Sequence, residues 1–240
     1  EFLTDDVVAL PKERDLDDFV QYAKKILDDY RMLMTKVSKT SVINYTVATR
    51  IDNVDKSATL LLKCLDQYFR GHPALAYQTL DELFKHLGPH FDMLCPPGDM
   101  SKVINPMYRF RTVGAAPYEA KDLFHIPFQL RHLVASMRYS IPGLPALYLG
   151  GSTYVCWLEL GKPDFNQIEV SRYEAAPDTN LRILNFGRRP ELLAAWIDAK
   201  PEDFADLKTG SAVVGAFVAC WPLIALCSIQ KRYPKGSFHA

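Results

Sequence analysis

Apolar residues in the first hundred positions recur at steps of three and four, the spacing that puts side chains on one face of an α-helix. Segments with this spacing predict three helices, over residues 15–33, 54–69 and 73–88. Pro73 suits the first turn of the third helix, and Gly88-Pro89 suits its end, because proline lacks the amide that a helix interior needs. The pattern therefore predicts a helical N-terminal region over residues 1–100.

The pattern changes after residues 95–99, a stretch of proline, glycine and aspartate that marks a predicted boundary. Beyond it, several segments either alternate between apolar and polar residues or form short apolar runs, as β-strands do. The predicted strands cover residues 107–113, 146–149, 168–173 and 181–185. Helices are predicted within residues 121–137 and over residues 190–199. Because these elements do not follow a regular β-α-β order, we predict an α+β protein.

Charge and apolar content exclude some functions. The 240 residues carry 28 basic and 28 acidic side chains, so the formal net charge is zero and gives no bulk attraction for nucleic acid or anionic membrane. The most apolar stretch, residues 212–229, is interrupted by Gly215 and Pro222, which predicts buried segments rather than a membrane helix. With an acidic N-terminus and no signal-peptide pattern, the sequence predicts a cytoplasmic protein without a membrane partner.

Cysteine and histidine spacing gives no metal motif. The five cysteines lie among apolar neighbours and form no Cys-x-x-Cys pair: Cys64, Cys95, Cys156, Cys220 and Cys227. Such scattered residues are typical of reduced thiols in a core. The six histidines show no zinc-binding spacing either, so no metal site is predicted.

Residues 138–159 combine more chemical groups than any other stretch. Arg138 and Tyr139 precede a turn rich in proline and glycine, and such a pair can bind an anion and stack on a flat ring. The predicted strand 146–149 then brings Tyr148 to an edge. The alternative for the first pair is structural, with the arginine paired to an acid and the tyrosine packed in the core.

The second half of this stretch predicts a loop followed by a helix. Gly150 and Gly151 allow a close approach of the backbone, and Ser152 or Thr153 can cap the helix. Glu159 then follows an apolar run, where a carboxylate is costly unless it is paired or functional. If this helix packs back on the preceding strand, Glu159 and the strand tyrosine flank one cleft, and the carboxylate can stabilise positive charge at a sugar carbon. The alternative is an exposed helix end.

The sequence Tyr-Arg-Phe-Arg at 108–111 is a second source of cations. In a strand, Arg109 and Arg111 share one face, and either can bind a pyrophosphate through two parallel hydrogen bonds. The alternative is that both are surface arginines on a half-buried strand.

Four pieces of sequence occur in a specific order: YRFR at 108–111, HIPF at 125–128, RYSIPGLPALYLGGS at 138–152, and Glu159. Together they resemble the RES domain, the toxin half of RES–Xre toxin–antitoxin pairs, in a domain predicted over residues 101–240. The resemblance implies a fold like that of the ADP-ribosyltransferase toxins, with NAD as substrate and no metal. It also implies cleavage of the nicotinamide–ribose bond by water or phosphate, which is the reaction of an NAD glycohydrolase or NAD phosphorylase.

The resemblance also implies residue roles. Arg109 would be the first arginine of the family and Arg111 the alternative register, while Glu159 would be the catalytic glutamate. The other NAD contacts that it implies are Arg138, Tyr139 and Tyr148. The serine in the family's name is not assigned to any residue of the chain, so either the domain is incomplete at Ala240 or the serine is absent.

Two other functions stay open. The same site could transfer ADP-ribose to a macromolecule, or the chain could be an inactive binding module whose helical region recruits a partner. By family analogy, the expected partners are NAD and an Xre-type antitoxin. The helical region could also dock on the predicted toxin domain or form an oligomer with a second copy of the chain. The apolar stripes of the helical region are equally well explained as the core of a small bundle.

Overall fold

The computed structural model describes residues 2–14, 17–94, 106–114, 118–134, 145–176, 189–204 and 210–230. These residues form two compact units. The larger unit contains the described residues of 2–94 and 189–230, and the smaller unit contains those of 106–176.

Helices and a two-stranded sheet make up the regular structure of the described residues. In chain order the elements are α1 (Phe19–Thr35), α2 (Val42–Ala48), α3 (Ile51–Phe69), α4 (Pro73–Leu94), β1 (Met107–Thr112), α5 (Thr153–Glu159), β2 (Ile168–Tyr173), α6 (Pro190–Ala199) and α7 (Gly210–Cys227). Short 3-10 helices cover Phe2–Thr4, Ala120–Leu123, Phe128–Leu133, Phe165–Gln167 and Pro201–Phe204. The α+β prediction is confirmed, whereas the likeness to ADP-ribosyltransferases stays a prediction.

The first helix forms where its apolar stripe predicted it. Asp18 caps α1, because its carboxylate accepts a hydrogen bond from the Gln21 amide at 2.9 Å and satisfies one of the free donors of the first turn. The predicted stripe is buried at Phe19, Tyr22, Ile26 and Tyr30. The helices predicted over 54–69 and 190–199 are likewise present, as α3 and α6.

Helix α4 continues past its predicted end. Gly88-Pro89 was expected to stop it, but the helix runs through Pro89 to Leu94. Leu87 and Leu94 are both buried, and Phe91 packs against the core. Burial of these side chains outweighs the one backbone hydrogen bond that proline cannot make.

Helix α7 is the central element of the larger unit. The sequence predicted buried segments interrupted at Gly215 and Pro222, whereas the structure has one continuous helix, Gly210–Cys227, in contact with α2, α3 and α4. A helix that is apolar on every side is stable when neighbours cover all of it. Among the described residues, α7 is long and apolar enough to cross a membrane. However, 83% of it is buried inside the protein.

The division of the chain differs from the predicted boundary near residue 100. Helix α7 was predicted to belong to the domain of residues 101–240, but it supplies the core of the larger unit together with α3 and α4. A sheet of two strands offers too little surface to bury such a helix, and the amphipathic N-terminal helices offer three apolar faces.

The smaller unit is built on the antiparallel pair β1–β2, which confirms the strands predicted over 107–113 and 168–173. Residues 146–149 were predicted to form a further strand, but they have no strand structure, and the bridge in this segment is formed by Gly150, with Tyr108. Proline at 145 restricts pairing there, since it has no amide to donate. The predicted strand 181–185 lies outside the described residues.

The bridge at Gly150 requires glycine. A Cβ atom at this position would lie 2.5 Å from Cys156 Sγ, and that thiol donates a hydrogen bond to the Tyr108 carbonyl at 3.2 Å. Tyr108 and Gly150 also exchange two backbone hydrogen bonds, of 2.9 and 2.8 Å. The close approach of three backbone segments therefore fixes α5 against β1.

We expect Gly150→Ala to destabilise this junction by about 1–3 kcal/mol, because the added methyl group overpacks it. Hydrogen exchange at the Tyr108 and Gly150 amides should become at least about tenfold faster. Gly151→Ala is the matched control, since a Cβ there meets no atom within 4 Å. If amide exchange is unchanged in Gly150→Ala, the steric explanation is wrong. It is also wrong if the double variant Gly150→Ala/Cys156→Ala, in which the clashing thiol is removed, exchanges as fast as Gly150→Ala.

Candidate functional site

The face of the β1–β2 sheet that carries Arg109 and Arg111 is the candidate site. Residues opposite each other in an antiparallel pair share a face, so the register adds Ser171 opposite Arg109 and Glu169 opposite Arg111, and Tyr173, two residues after Ser171, lies on the same face. We call this surface the arginine face; it consists of Arg109, Arg111, Glu169, Ser171 and Tyr173. The prediction that Arg109 and Arg111 lie on one side of a strand is met by this register.

The guanidinium of Arg109 is used in hydrogen bonds to the protein backbone. Its Nη1 donates to the Leu123 carbonyl at 2.9 Å and also to the Phe124 carbonyl. The Tyr173 hydroxyl donates to the same Leu123 carbonyl. Burial lowers the pKa of Arg109 below its ordinary value, and the charge of Arg111 lowers it further. Arg109 thus holds the segment before HIPF against the sheet.

Arg111 is freer to meet a ligand. Its guanidinium carbon lies 5.3 Å from the centre of the Tyr118 ring, a cation–π distance, and its Nη2 reaches the Phe124 carbonyl only at 3.4 Å. Within the described part of the chain it forms no ion pair with a carboxylate. Glu169, directly across the sheet, instead accepts a hydrogen bond from the Tyr118 amide at 3.3 Å. Among the described residues, no carboxylate therefore competes with an anion for Arg111.

The loop before α5 forms as the sequence predicts at its cap. The Ser152 hydroxyl accepts from the Val155 amide at 3.2 Å, so Ser152 rather than Thr153 is the N-cap. Tyr148, two residues before the Gly150 bridge, is half-buried.

Glu159 is the last residue of α5 and is exposed. Its carboxylate makes no hydrogen bond or ion pair with a described residue. A shared cleft of Glu159 with Tyr148, as expected from the sequence, stays a prediction. Arg138 and Tyr139, the other two predicted NAD contacts, lie outside the described residues.

Four contributors to the site were missed from the sequence: Tyr118, Glu169, Ser171 and Tyr173. The last three lie in a segment that the alternation predicted as a strand, but its partner and register were unknown, and both are needed to bring these residues beside the arginines. Tyr118 lies in a loop, where the side-chain pattern carries no signal.

The described residues contain no group of three or more His, Cys, Asp or Glu side chains arranged to hold a metal ion. The polar groups of the arginine face are two guanidiniums, a carboxylate, a serine hydroxyl and a tyrosine hydroxyl. Such a set suits an anionic ligand that also carries flat rings.

The two arginines should differ when each is replaced by methionine, which keeps an apolar stem. Arg109→Met removes two charge-assisted hydrogen bonds from residues 118–134, at a cost of about 1–3 kcal/mol. We expect hydrogen exchange in that segment, measured by mass spectrometry, to accelerate in Arg109→Met and to change much less in Arg111→Met. Equal acceleration in both variants would contradict the division of roles between them.

Comparison with known proteins gives one curated relative. The chain is 30% identical over 196 residues to the Bacillus subtilis (strain 168) protein named "Putative toxin YopC". The match covers 80% of this chain and 43% of that protein, so the chain spans less than half the length of this relative. No protein-family model matches the chain, and no solved structure matches it.

Proposed function

We propose that the chain is part of a toxin-like enzyme that consumes NAD by cleaving the bond between nicotinamide and ribose, with water or phosphate as the acceptor. The curated relative supports the toxin part of this proposal through its name. The NAD part rests on the arginine face and on the order of the RES-like motifs around it.

The observation that carries the proposal is the pair of guanidiniums on one face of β1. NAD carries two negative charges on its pyrophosphate, and arginine binds such groups through parallel hydrogen bonds. Arg111, with no carboxylate partner in the described part, is the arginine free to do so. Arg109, whose hydrogen bonds fix the Leu123 and Phe124 backbone, keeps the segment beside Arg111 in position.

This division of roles reverses the order in which the resemblance suggested them. Arg109 was implied as the first ligand arginine and Arg111 as the alternative. In the proposed function Arg111 contacts the pyrophosphate, and Arg109 acts through the loop that it anchors. Tyr118, stacked near Arg111, limits the directions that this guanidinium can take.

Glu159 is the proposed catalytic carboxylate. As nicotinamide leaves, positive charge builds on the ribose, and a nearby carboxylate lowers the energy of that transition state. A negative charge at the C-terminal end of a helix is unfavourable by about 0.3–1 kcal/mol, because it faces the negative end of the helix dipole. An exposed carboxylate at this end of α5 does not add to helix stability, and this supports the proposed chemical role.

Incubation of the purified protein with NAD labelled in the adenosine part tests the proposal. Three mixtures are needed: plain buffer, buffer with phosphate, and buffer with cell lysate. Free ADP-ribose in plain buffer indicates hydrolysis, a phosphorylated ADP-ribose indicates phosphorolysis, and label on macromolecules indicates transfer.

The proposed function predicts nicotinamide release with a small-molecule product in the first or second mixture. Label found only on macromolecules would support the transferase alternative instead. Calorimetric binding of NAD without any nicotinamide release would favour the binding-module alternative and contradict the proposed function.

A further inference from the structure

The larger unit contains a cluster of basic side chains that the proposed function does not use. It consists of Arg50, just before α3, and His86 and His90 on α4. All three side chains are half-buried. We call this group the α3–α4 basic cluster.

The antiparallel packing of α3 on α4 brings the cluster together. Cys64 Sγ donates to the Ala76 carbonyl at 3.3 Å, and His86 Nε2 lies 3.2 Å from the Asn53 carbonyl. These two contacts fix the register of the helices. Arg50 lies one turn before Asn53, and His90 lies one turn after His86. Because the helices are antiparallel, Arg50 and His90 face each other.

Gly215 of α7 makes room for the arginine. A Cβ atom at Gly215 would lie 2.9 Å from Arg50 Nε and 3.2 Å from its Nη2. The guanidinium therefore lies directly over the backbone of α7, at a glycine in the middle of a largely apolar helix. Any other residue at this position would push the arginine away.

The charge of Arg50 has no partner in the described part of the chain. Its Nε is buried without a hydrogen-bond acceptor, and no described carboxylate pairs with the guanidinium. A partly buried cation without a counterion is costly, and the cost is removed when an anion binds. The pKa of His90 lies below its ordinary value, first because of burial and then because of the positive charges of Arg50 and His86.

We infer that the α3–α4 basic cluster is a binding site for a compact phosphate-type oxyanion, either free phosphate or the phosphate end of a small metabolite. The charge of a guanidinium is delocalised, so an anion held by the accessible part of Arg50 also compensates the buried Nε. His86 and His90 each offer a ring nitrogen as a further donor when protonated. A phosphate brings up to two charges and several acceptor oxygens to these three donors.

Nuclear magnetic resonance of the histidine ring protons, during titration with inorganic phosphate at constant ionic strength set with chloride, tests this site in the full chain. The signals of the two rings are assigned from the His86→Gln and His90→Gln variants. We expect saturable shifts of both rings, at least tenfold weaker binding in Arg50→Met, and weaker binding in Gly215→Ala. A parallel titration with glycerol 3-phosphate distinguishes the two sources, because tighter binding of the ester indicates a metabolite.

Arg70→Gln is the matched control. Arg70 is exposed, lies just after α3 and pairs with Asp66 at 2.7 Å, so its loss should leave phosphate binding unchanged. If Arg50→Met does not fold, His90→Gln serves in its place, with the His86 signal as readout. Absence of a saturable shift in the parent protein overturns the inference, and so does equal phosphate affinity in the parent and in the folded variant.

Discussion

Glu159→Gln should lower the rate of NAD cleavage by about 100-fold or more while the protein stays folded. The substitution keeps the size of the side chain and its ability to form hydrogen bonds, but it removes the charge that stabilises the developing oxocarbenium ion. Initial rates of nicotinamide release, compared with the parent protein under saturating NAD, measure the effect on turnover.

This loss of activity should not come from unfolding of the variant. Glu159 is exposed and unpaired within the described residues, and it occupies a helix end that disfavours negative charge. The thermal midpoint of Glu159→Gln should therefore equal or slightly exceed that of the parent. Glu174→Gln is the matched control, because Glu174 is an exposed carboxylate of the same unit that pairs with Arg172. A similar loss of activity in both variants would point to a general charge effect and exclude a specific role for Glu159.

Trp221→Ala should destabilise the larger unit strongly, by about 3–5 kcal/mol. Trp221 is completely buried in α7, stacks on Tyr30 with ring centroids 3.8 Å apart, and donates from Nε1 to the Val8 carbonyl at 2.9 Å. Loss of the tryptophan leaves a large cavity and an unsatisfied carbonyl at Val8. It also removes the hydrogen bond that holds the N-terminal segment to α7.

Far-UV circular dichroism during heating follows this unit, because the larger unit contains most of the described helices. A midpoint about 10 °C below that of the parent is expected. Leu192→Ala, at a leucine that is 67% exposed on α6, should leave the midpoint nearly unchanged. A decrease for Trp221→Ala no larger than that of Leu192→Ala would mean that α7 is not the centre of the core.

Local periodicity explains which elements were predictable. In α1 and β2 the side-chain pattern agrees with the burial pattern, and β1 could be recognised from its alternating residue types although its burial does not alternate. α7 could not, because a helix that is apolar on every side has no periodic pattern, and Gly215 and Pro222 resemble breaks. Its neighbours decide its conformation, and they lie more than a hundred residues away in the sequence.

Some features of the candidate site could likewise be predicted from the sequence, and others could not. Arg109 and Arg111 could be identified from the strand period alone. The contacts that distinguish the two arginines could not, because Arg109 binds the Leu123 and Phe124 carbonyls, and the sequence pattern does not show that this later segment returns to the sheet. The loop that contains Gly150 was recognised from its small residues, but the strand predicted just before it, over residues 146–149, is replaced by a single bridge from Gly150 to Tyr108.

The NAD content of growing bacterial cells that express this chain, measured by an enzymatic cycling assay at the time when growth slows, tests the proposed function most directly. We predict that NAD falls before growth stops in cells with the parent protein, and that cells expressing Glu159→Gln to the same level keep both their NAD and their growth rate. Growth arrest with an unchanged NAD pool, or NAD loss of equal extent in the variant, would contradict NAD cleavage at Glu159 as the activity of this chain.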